Sequence, residues 1–226
     1  MKDSILLLLF QILAHLALIP FVLYAELYHY VISITVYFFT GCIGMTITYH
    51  RLLSHHSYKA PRWFEIFGTL CGTYGLTGSS IGWSAIHKEH HHYVDKEKDP
   101  HSPTYKGFFK TQYLSMFEKP NPKYAIKLIR DPFHQFLHKH YFTIHFVILI
   151  LLSLIDTMLM ISAYLVPAAI LWNMGSFINS FTHMNYGYRN YETLDKSTNI
   201  PWLGYMMFGE VGIIIIIIIQ IIQNLD

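Results

Sequence analysis

Long apolar runs constrain this chain more than any other feature of its sequence. Residues 4–24 and 31–49 are predominantly apolar, and residues 141–179 form a further apolar region with one acid, Asp156, near its centre. A run of about 20 apolar residues can cross a hydrocarbon core of about 30 Å as an α-helix. With 53% hydrophobic and only 13% charged residues, the composition is also unusual for a soluble domain. The sequence therefore predicts an all-α integral membrane protein.

The predicted fold has four transmembrane helices, at about residues 4–24, 31–49, 141–155 and 158–178. Dividing the last apolar region at Asp156 places this acid in a short outer turn, because a carboxylate inside the hydrocarbon core is costly. A cleaved signal peptide is the alternative for residues 4–24, but no small-residue cleavage site follows them. Residues 63–86 contain five glycines. We expect them to form an interfacial or re-entrant segment rather than a further complete span.

The distribution of basic residues predicts the orientation. Thirteen of the 16 Lys and Arg residues lie between His50 and His140, and the positive-inside rule places such a region in the cytoplasm. An even number of spans puts both termini on the same side. The two cysteines, Cys42 and Cys71, lie in apolar surroundings, which argues against a disulfide framework.

Histidines occur in three groups, each at the end of an apolar segment. The groups are HRLLSHH at 50–56, HKEHHH at 87–92 and NSFTH at 179–183. On an α-helix, at about 100° per residue, His87, His90 and His91 share one narrow face. Imidazole binds several transition metals, and the absence of nearby cysteine argues against a thiolate zinc site. The alternative is a solvated or pH-responsive histidine cluster.

Two details of the histidine spacing carry further expectations. His50 and His55 are about 140° apart on an ideal helix, so both can bind one centre only if the helix ends or distorts between them. We expect this deformation near Ser54. A second set, His134, His138 and His140, lies in the polar region 93–139, and we expect these three to be surface or interfacial residues.

The three groups, together with DPH at 99–101, resemble the motifs of membrane acyl-CoA (stearoyl-CoA-type delta-9) desaturases, over about residues 35–210. The resemblance implies four transmembrane helices with a cytoplasmic, histidine-rich helical cap. It also implies a centre of two iron ions, with O2 as co-substrate. Such enzymes remove two hydrogens from a saturated fatty acyl chain and make a cis double bond.

The resemblance also implies roles for individual residues. Direct iron ligands by position are His50, His55, His87, His90, His91 and His183, and Asn179 holds iron through a water molecule. Phe38 and Cys42 are candidates for closing the end of the acyl tunnel, since they precede the first histidine group on one helix. Ordinary helix packing is the alternative for these two residues.

The expected partners are a fatty acyl thioester or lipid substrate, membrane lipid and a separate electron donor of the cytochrome b5, ferredoxin or rubredoxin type. We expect no nucleic-acid partner. Two alternative functions stay open: a histidine-box hydroxylase acting on alkanes or sterols, and a membrane remnant without metal. Product analysis and iron content distinguish them.

The chain departs from the desaturase pattern after Glu210, where a third histidine box with three more ligands is expected. Residues 211–226 instead contain seven consecutive isoleucines, and no histidine follows His183. Loss of one base from codons for a GWHNNHH box gives Val-Gly followed by isoleucines. We therefore interpret residues 1–210 as the desaturase-like membrane domain and 211–226 as an out-of-frame tail, and we expect the polypeptide as written to be impaired. A natural apolar anchor is the alternative for the tail.

Overall fold

The computed structural model describes residues 2–184, 186–190 and 195–209. Within them all regular secondary structure is helical, apart from one isolated β-bridge between Tyr188 and Asn199. This confirms the all-α prediction. The predicted out-of-frame tail, residues 211–226, lies outside the described residues.

The helices are numbered in chain order. The α-helices are α1 (Lys2–Leu16), α2 (Leu18–Tyr24), α3 (Leu27–Tyr37), α4 (Arg62–Tyr74), α5 (Ser80–Tyr93), α6 (Pro103–Lys106), α7 (Phe108–Tyr113), α8 (Ile126–Ile129), α9 (Pro132–Lys139), α10 (Tyr141–Ile155), α11 (Thr157–Met160), α12 (Val166–Phe181) and α13 (Pro201–Met206). Two π-helices, π1 (Phe38–Ser54) and π2 (Ile161–Leu165), and two 3₁₀-helices, Ser115–Phe117 and Pro122–Ala125, complete the described elements.

Three continuous helical stretches are long and apolar enough to cross a membrane: Lys2–Tyr24, Leu27–Ser54 and Thr157–Phe181. They correspond to three of the four predicted spans. The other predicted span, 141–155, is α10, which meets the length criterion only together with α9, and the two helices meet at a bend of 63°. Asp156 caps α11 by accepting a hydrogen bond from the Leu159 N–H, so it lies in a turn, as predicted.

The described residues divide into two compact units, the first comprising those up to Lys88 and Met116–Trp172, the second Glu89–Ser115 and those from Asn173 onward. In the first unit α1 and α2 pack against π2 and the start of α12. The buried residues of this cluster are Ala14, Ala17, Phe21, Ile161, Tyr164, Leu165, Val166 and Ala169. Small residues at such contacts let helices approach closely, which matters in lipid because apolar burial alone does not drive helices together there.

The glycine-rich stretch 63–86 forms two helices, α4 and α5, separated by a turn. With 13 residues, α4 is too short to cross a membrane, which agrees with the sequence interpretation. It packs closely against π1 through glycines on both sides. A Cβ at Gly44 would lie 2.4 Å from the backbone nitrogen of Gly72, and one at Gly68 would meet the Thr48 side chain. Both cysteines are free thiols, as predicted.

The second unit is held together largely by polar contacts of its loops with the end of α12. Ser180 Oγ donates to Gln112 Oε1 at 2.8 Å, and the Thr198 N–H and hydroxyl both donate to the Thr182 carbonyl. The backbones of Tyr188 and Asn199 are hydrogen-bonded in both directions. These contacts fix the chain on either side of His183.

Candidate metal centre

Three histidines of the first unit lie close together. His50 belongs to π1, His55 directly follows it and His87 lies on α5. One ligand nitrogen of each lies within 4.8 Å of those of the other two. The His50 ring is nearly perpendicular to both neighbours, with centroids 4.5 Å from His55 and 4.7 Å from His87. The structure thus brings these three predicted ligands together.

The π-helix explains how His50 and His55 reach the same place. Its backbone hydrogen bonds join residues five positions apart, so such residues lie near one another along the helix axis. The His55 N–H donates to the His50 carbonyl at 3.0 Å, and Ser54 Oγ donates to the Tyr49 carbonyl at 2.8 Å. The predicted distortion is confirmed, but it extends over 17 residues rather than being confined to the region of Ser54.

The geometry of this first group suits a metal ion. His55 Nε2 and His87 Nε2 are 2.9 Å apart. Two nitrogens that each lie about 2.1 Å from one ion, at an angle of about 90°, are about 3.0 Å from each other. The Trp83 ring stacks on His87 at 4.6 Å with an interplanar angle of 14°, which restrains the orientation of that imidazole. His91 follows His87 by four residues on α5, on the same helix face.

A second group lies in the second unit and combines histidines with aspartates. The rings of His90 and His183 are 5.3 Å apart. Asp99 Oδ1 lies 2.7 Å from His90 Nδ1, and Asp95 Oδ2 lies 3.0 Å from His183 Nδ1. In both histidines the Nε2 atom is thus the one left for a metal.

Electrostatics keep these aspartates ionised. Burial by itself raises the pKa of Asp99, but the hydrogen bond and charge of His90 and the backbone N–H groups outweigh it, so the net shift is downward. The pKa of Asp95 is lowered for the same reasons, with His183 as the main partner. His101 behaves differently, because burial lowers its pKa to about 3, and it is neutral at physiological pH.

Other predicted residues are less directly placed. Asn179 lies half-buried near the end of α12, four residues before His183. Phe38 is 44% exposed at the start of π1, and Cys42 is partly buried. Their role in a tunnel stays a prediction.

The prediction for His134 was wrong, because this residue is fully buried. Its Nδ1 accepts from Ser80 Oγ at 2.8 Å and its Nε2–H donates to Glu65 Oε1 at 3.0 Å. Helix α9 is amphipathic, and His134 and Leu137 lie on its buried face. His138 is exposed, as expected, and its Nδ1 lies 2.6 Å from Ser79 Oγ.

Glu65, Asp131 and His134 form another group of close ligand atoms. Arg62 donates to Glu65 at 2.6 Å and to Asp131 at 2.8 Å, so one of the two carboxylate charges is compensated within the group. We interpret this group as a structural network that anchors the start of α5 through Ser80.

Sequence reasoning missed Asp95, Asp99 and Trp83 as parts of the site. The signal was available for the aspartates, because metal-ligating histidines commonly donate their other ring N–H to a carboxylate. Both acids follow the histidine group at 87–92 within eight residues. For Trp83 the available signal was its position four residues before His87, because residues four apart share one face of a helix.

Comparison with known proteins matches residues 25–211 to the family model described as fatty acid desaturase. The chain is 33% identical over 185 residues to the sn-1 stearoyl-lipid 9-desaturase of Anabaena variabilis, covering 79% of this chain and 67% of that protein. It is 34% identical over 180 residues to the Synechocystis enzyme of the same name, covering 77% and 56%. It is also 34% identical over 189 residues to delta-9 acyl-lipid desaturase 2 of Arabidopsis thaliana, covering 78% and 60%. The chain thus spans between about half and two thirds of the length of these relatives.

Proposed function

Because this chain belongs to the fatty acid desaturase family, a family of oxidoreductases, we propose that it carries most of the machinery for O2-dependent desaturation of a fatty acyl chain. The observation that carries the proposal is the convergence of His50, His55 and His87, with two Nε2 atoms 2.9 Å apart. The reaction removes two hydrogens from adjacent methylenes and leaves a cis double bond. The two hydrogens, together with two electrons from a separate redox protein and two protons, reduce O2 to two water molecules.

The proposed metal is iron, in a centre of two ions. The proposed direct ligands are His50, His55, His87, His90, His91 and His183, with Asn179 acting through a water molecule. The imidazole donors of the first group and the Nδ1 contacts of His90 and His183, which leave their Nε2 atoms for a metal, support this assignment. When bound, iron supplies the oxidising power that an unactivated methylene requires, since such a carbon has no acidic proton for a base to remove.

The protein residues hold and orient this site. The π-helix aligns His50 with His55, Trp83 restrains the plane of His87, and the aspartates fix the proton on Nδ1 of their histidines. Most residues of π1 are buried, which limits access of bulk water to that side of the site.

The proposed topology has four crossings, with the bent pair α9 and α10 as the third, and a cytoplasmic cap with both termini on that side. The three long apolar helices and the bent pair support the count. The concentration of basic residues between His50 and His140 supports the orientation. Asp156, in its turn between α10 and α11, is compatible with the opposite side.

We propose a saturated acyl chain esterified in a membrane lipid as the substrate, because relatives are named as stearoyl-lipid 9-desaturases and as a delta-9 acyl-lipid desaturase. An acyl-CoA substrate is the second candidate, since another relative, from Anemone leveillei, is named as an acyl-CoA 5-desaturase. A separate redox protein would deliver the electrons. Supplying labelled acyl-CoA or labelled lipid to membranes separates the two substrates.

The chain as written is proposed to be impaired, because residues 211–226 contain no histidine to supply further ligands. The test begins by sequencing the gene across codons 208–226 and reading the neighbouring frame. A frame that restores a histidine box supports the interpretation of the tail. Confirmed isoleucine codons with no such box in any frame contradict it.

The activity is tested in a host strain that cannot make monounsaturated fatty acids. The printed chain, the repaired chain and the repaired chain carrying His87→Ala are expressed, and methyl esters are analysed by mass spectrometry. We expect a monounsaturated product from the repaired chain alone. A hydroxylated product would favour the alkane or sterol hydroxylase alternative. A repaired chain without iron and without any product would refute the proposal in favour of a metal-free membrane protein.

A further inference from the structure

Two aspartates occupy equivalent positions in the second histidine group. Asp99 faces His90 Nδ1 at 2.7 Å and Asp95 faces His183 Nδ1 at 3.0 Å. The side chain of Asp99 is 0% exposed and that of Asp95 is 6% exposed. The same contact therefore recurs on two histidines whose rings are 5.3 Å apart.

We infer that Asp95 and Asp99 are positioning residues of the metal centre, each holding a proton on Nδ1 of a ligand histidine and so presenting its Nε2 lone pair to iron. The inference rests on the proposed function. A neutral imidazole carries one ring proton, and an ionised carboxylate can only accept a hydrogen bond. The proton must then reside on the nitrogen that faces the carboxylate, and the other nitrogen is free to bind a metal.

Asp99 has a structural task as well. Its Oδ1 accepts from the His101 N–H at 2.8 Å, and its Oδ2 accepts from the Asp95 N–H at 2.9 Å. Backbone N–H groups only donate, so three donors converge on one carboxylate. Replacing Asp99 would disturb the turn after α5 together with the orientation of His90, and the two effects could not be separated.

Asp95 allows the separation. Its φ is +55°, in the left-handed region that favours glycine. Asp95→Gly therefore relieves the backbone and removes the carboxylate both from His183 and from the Lys196 N–H, which is exposed and can bond to water instead. Asp95→Asn keeps an oxygen that can accept both from His183 Nδ1 and from the Lys196 N–H, which lies 2.6 Å from Oδ2. It removes only the charge.

The experiment measures Fe(II) affinity of the purified full-length chain in detergent, by competition with a coloured chelator. The matched control is Asp156→Asn, because Asp156 caps α11 through the Leu159 N–H, outside the histidine groups. We expect Asp95→Gly to weaken Fe(II) binding by about 10- to 100-fold. Asp95→Asn should lose only a few-fold in Fe(II) affinity and thus retain most of the affinity that Asp95→Gly loses. The Asp156→Asn control should bind Fe(II) as tightly as the parent. Thermal unfolding of the metal-free chains should show no loss of stability in Asp95→Gly.

A metal-free readout completes the test. In histidine ¹⁵N NMR spectra without metal, His183 of the parent should carry its proton on Nδ1, and Asp95→Gly should shift the population toward Nε2–H. Parent-like Fe(II) affinity in Asp95→Gly, or an Nε2–H tautomer in the parent, overturns the inference. If neither the parent nor the repaired chain binds Fe(II), the proposed function fails, and the NMR result still decides the positioning role by itself.

Discussion

Gly44 is the position where the packing of the site can be tested most directly. A Cβ at this residue would lie 2.4 Å from the backbone nitrogen and 2.6 Å from the Cα of Gly72, and 2.7 Å from the carbonyl carbon of Cys71. All three atoms belong to the backbone of α4, so no side chain can rotate away. Ordinary contact begins at 3.4 Å, so Gly44→Ala requires π1 and α4 to separate locally by the difference, about 1 Å. Overpacking of this kind costs about 1–3 kcal/mol.

The displacement should also be felt at the metal ligands. Gly44 precedes His50 by six residues on π1, and a functional constellation tolerates displacements of only about 0.5 Å. We therefore expect Gly44→Ala both to lower the thermal unfolding temperature and to lower the iron bound per chain. The second effect should exceed what the fraction of unfolded protein explains.

The matched control is Gly175→Ala. Gly175 lies within α12, and a Cβ there would have no atom within 4 Å. Alanine is favoured over glycine inside a helix by about 1 kcal/mol, so this variant should be neutral or slightly stabilised. Both variants are compared with the parent by thermal unfolding in detergent and by metal analysis. Gly44→Ala with the stability and iron content of the parent would show that π1 and α4 are not packed as described, and would refute the reasoning.

Three further predictions address charge, burial and metal. Hydrogen bonding from Arg62 lowers the pKa of Asp131 in the folded protein. The pair therefore stabilises the fold at pH values above the unfolded-state pKa of about 4. This stabilisation is lost as the pH falls through the lower folded-state pKa. Asp131→Asn, which keeps the helix cap, should cost no more than about 1 kcal/mol at pH 7 because the pair is partly exposed, and a penalty that persisted unchanged at pH 2 would contradict this assignment. His134→Leu should lower the free energy of unfolding, measured by chemical denaturation, by about 1–3 kcal/mol, because it leaves the buried Ser80 hydroxyl without this partner. The same substitution at the exposed His138 should lower it by less. Equal losses of stability in the two variants would refute the difference in burial. Removing iron with a chelator should lower the unfolding free energy by about 2.7 kcal/mol if the metal was present at 100 times its dissociation constant. Fe(II) but not Mg²⁺ should restore the stability, since imidazole ligands disfavour Mg²⁺. Recovery with Mg²⁺ would argue against an imidazole site.

The sequence anticipated features that depend on local patterns. Apolar length identified the helical spans, and the spacing of His87, His90 and His91 placed them on one helix face. The 140° offset of His50 and His55 required a distorted helix, which the structure contains as π1. These conclusions needed only the geometry of a helix and the cost of placing polar groups in lipid.

Contacts between distant segments were decided by tertiary structure. His134 was expected at the surface because its neighbours are polar, yet the amphipathic α9 buries it against Ser80 and Glu65, residues more than 50 positions away. The pairing of His183 with Asp95 joins residues 88 positions apart. Sequence by itself determined which residues could bind a metal and which helices carry them, because helical periodicity is local. Only the fold decided which nitrogen of each histidine faces a carboxylate and where π1 meets α4, because both depend on which segments lie side by side.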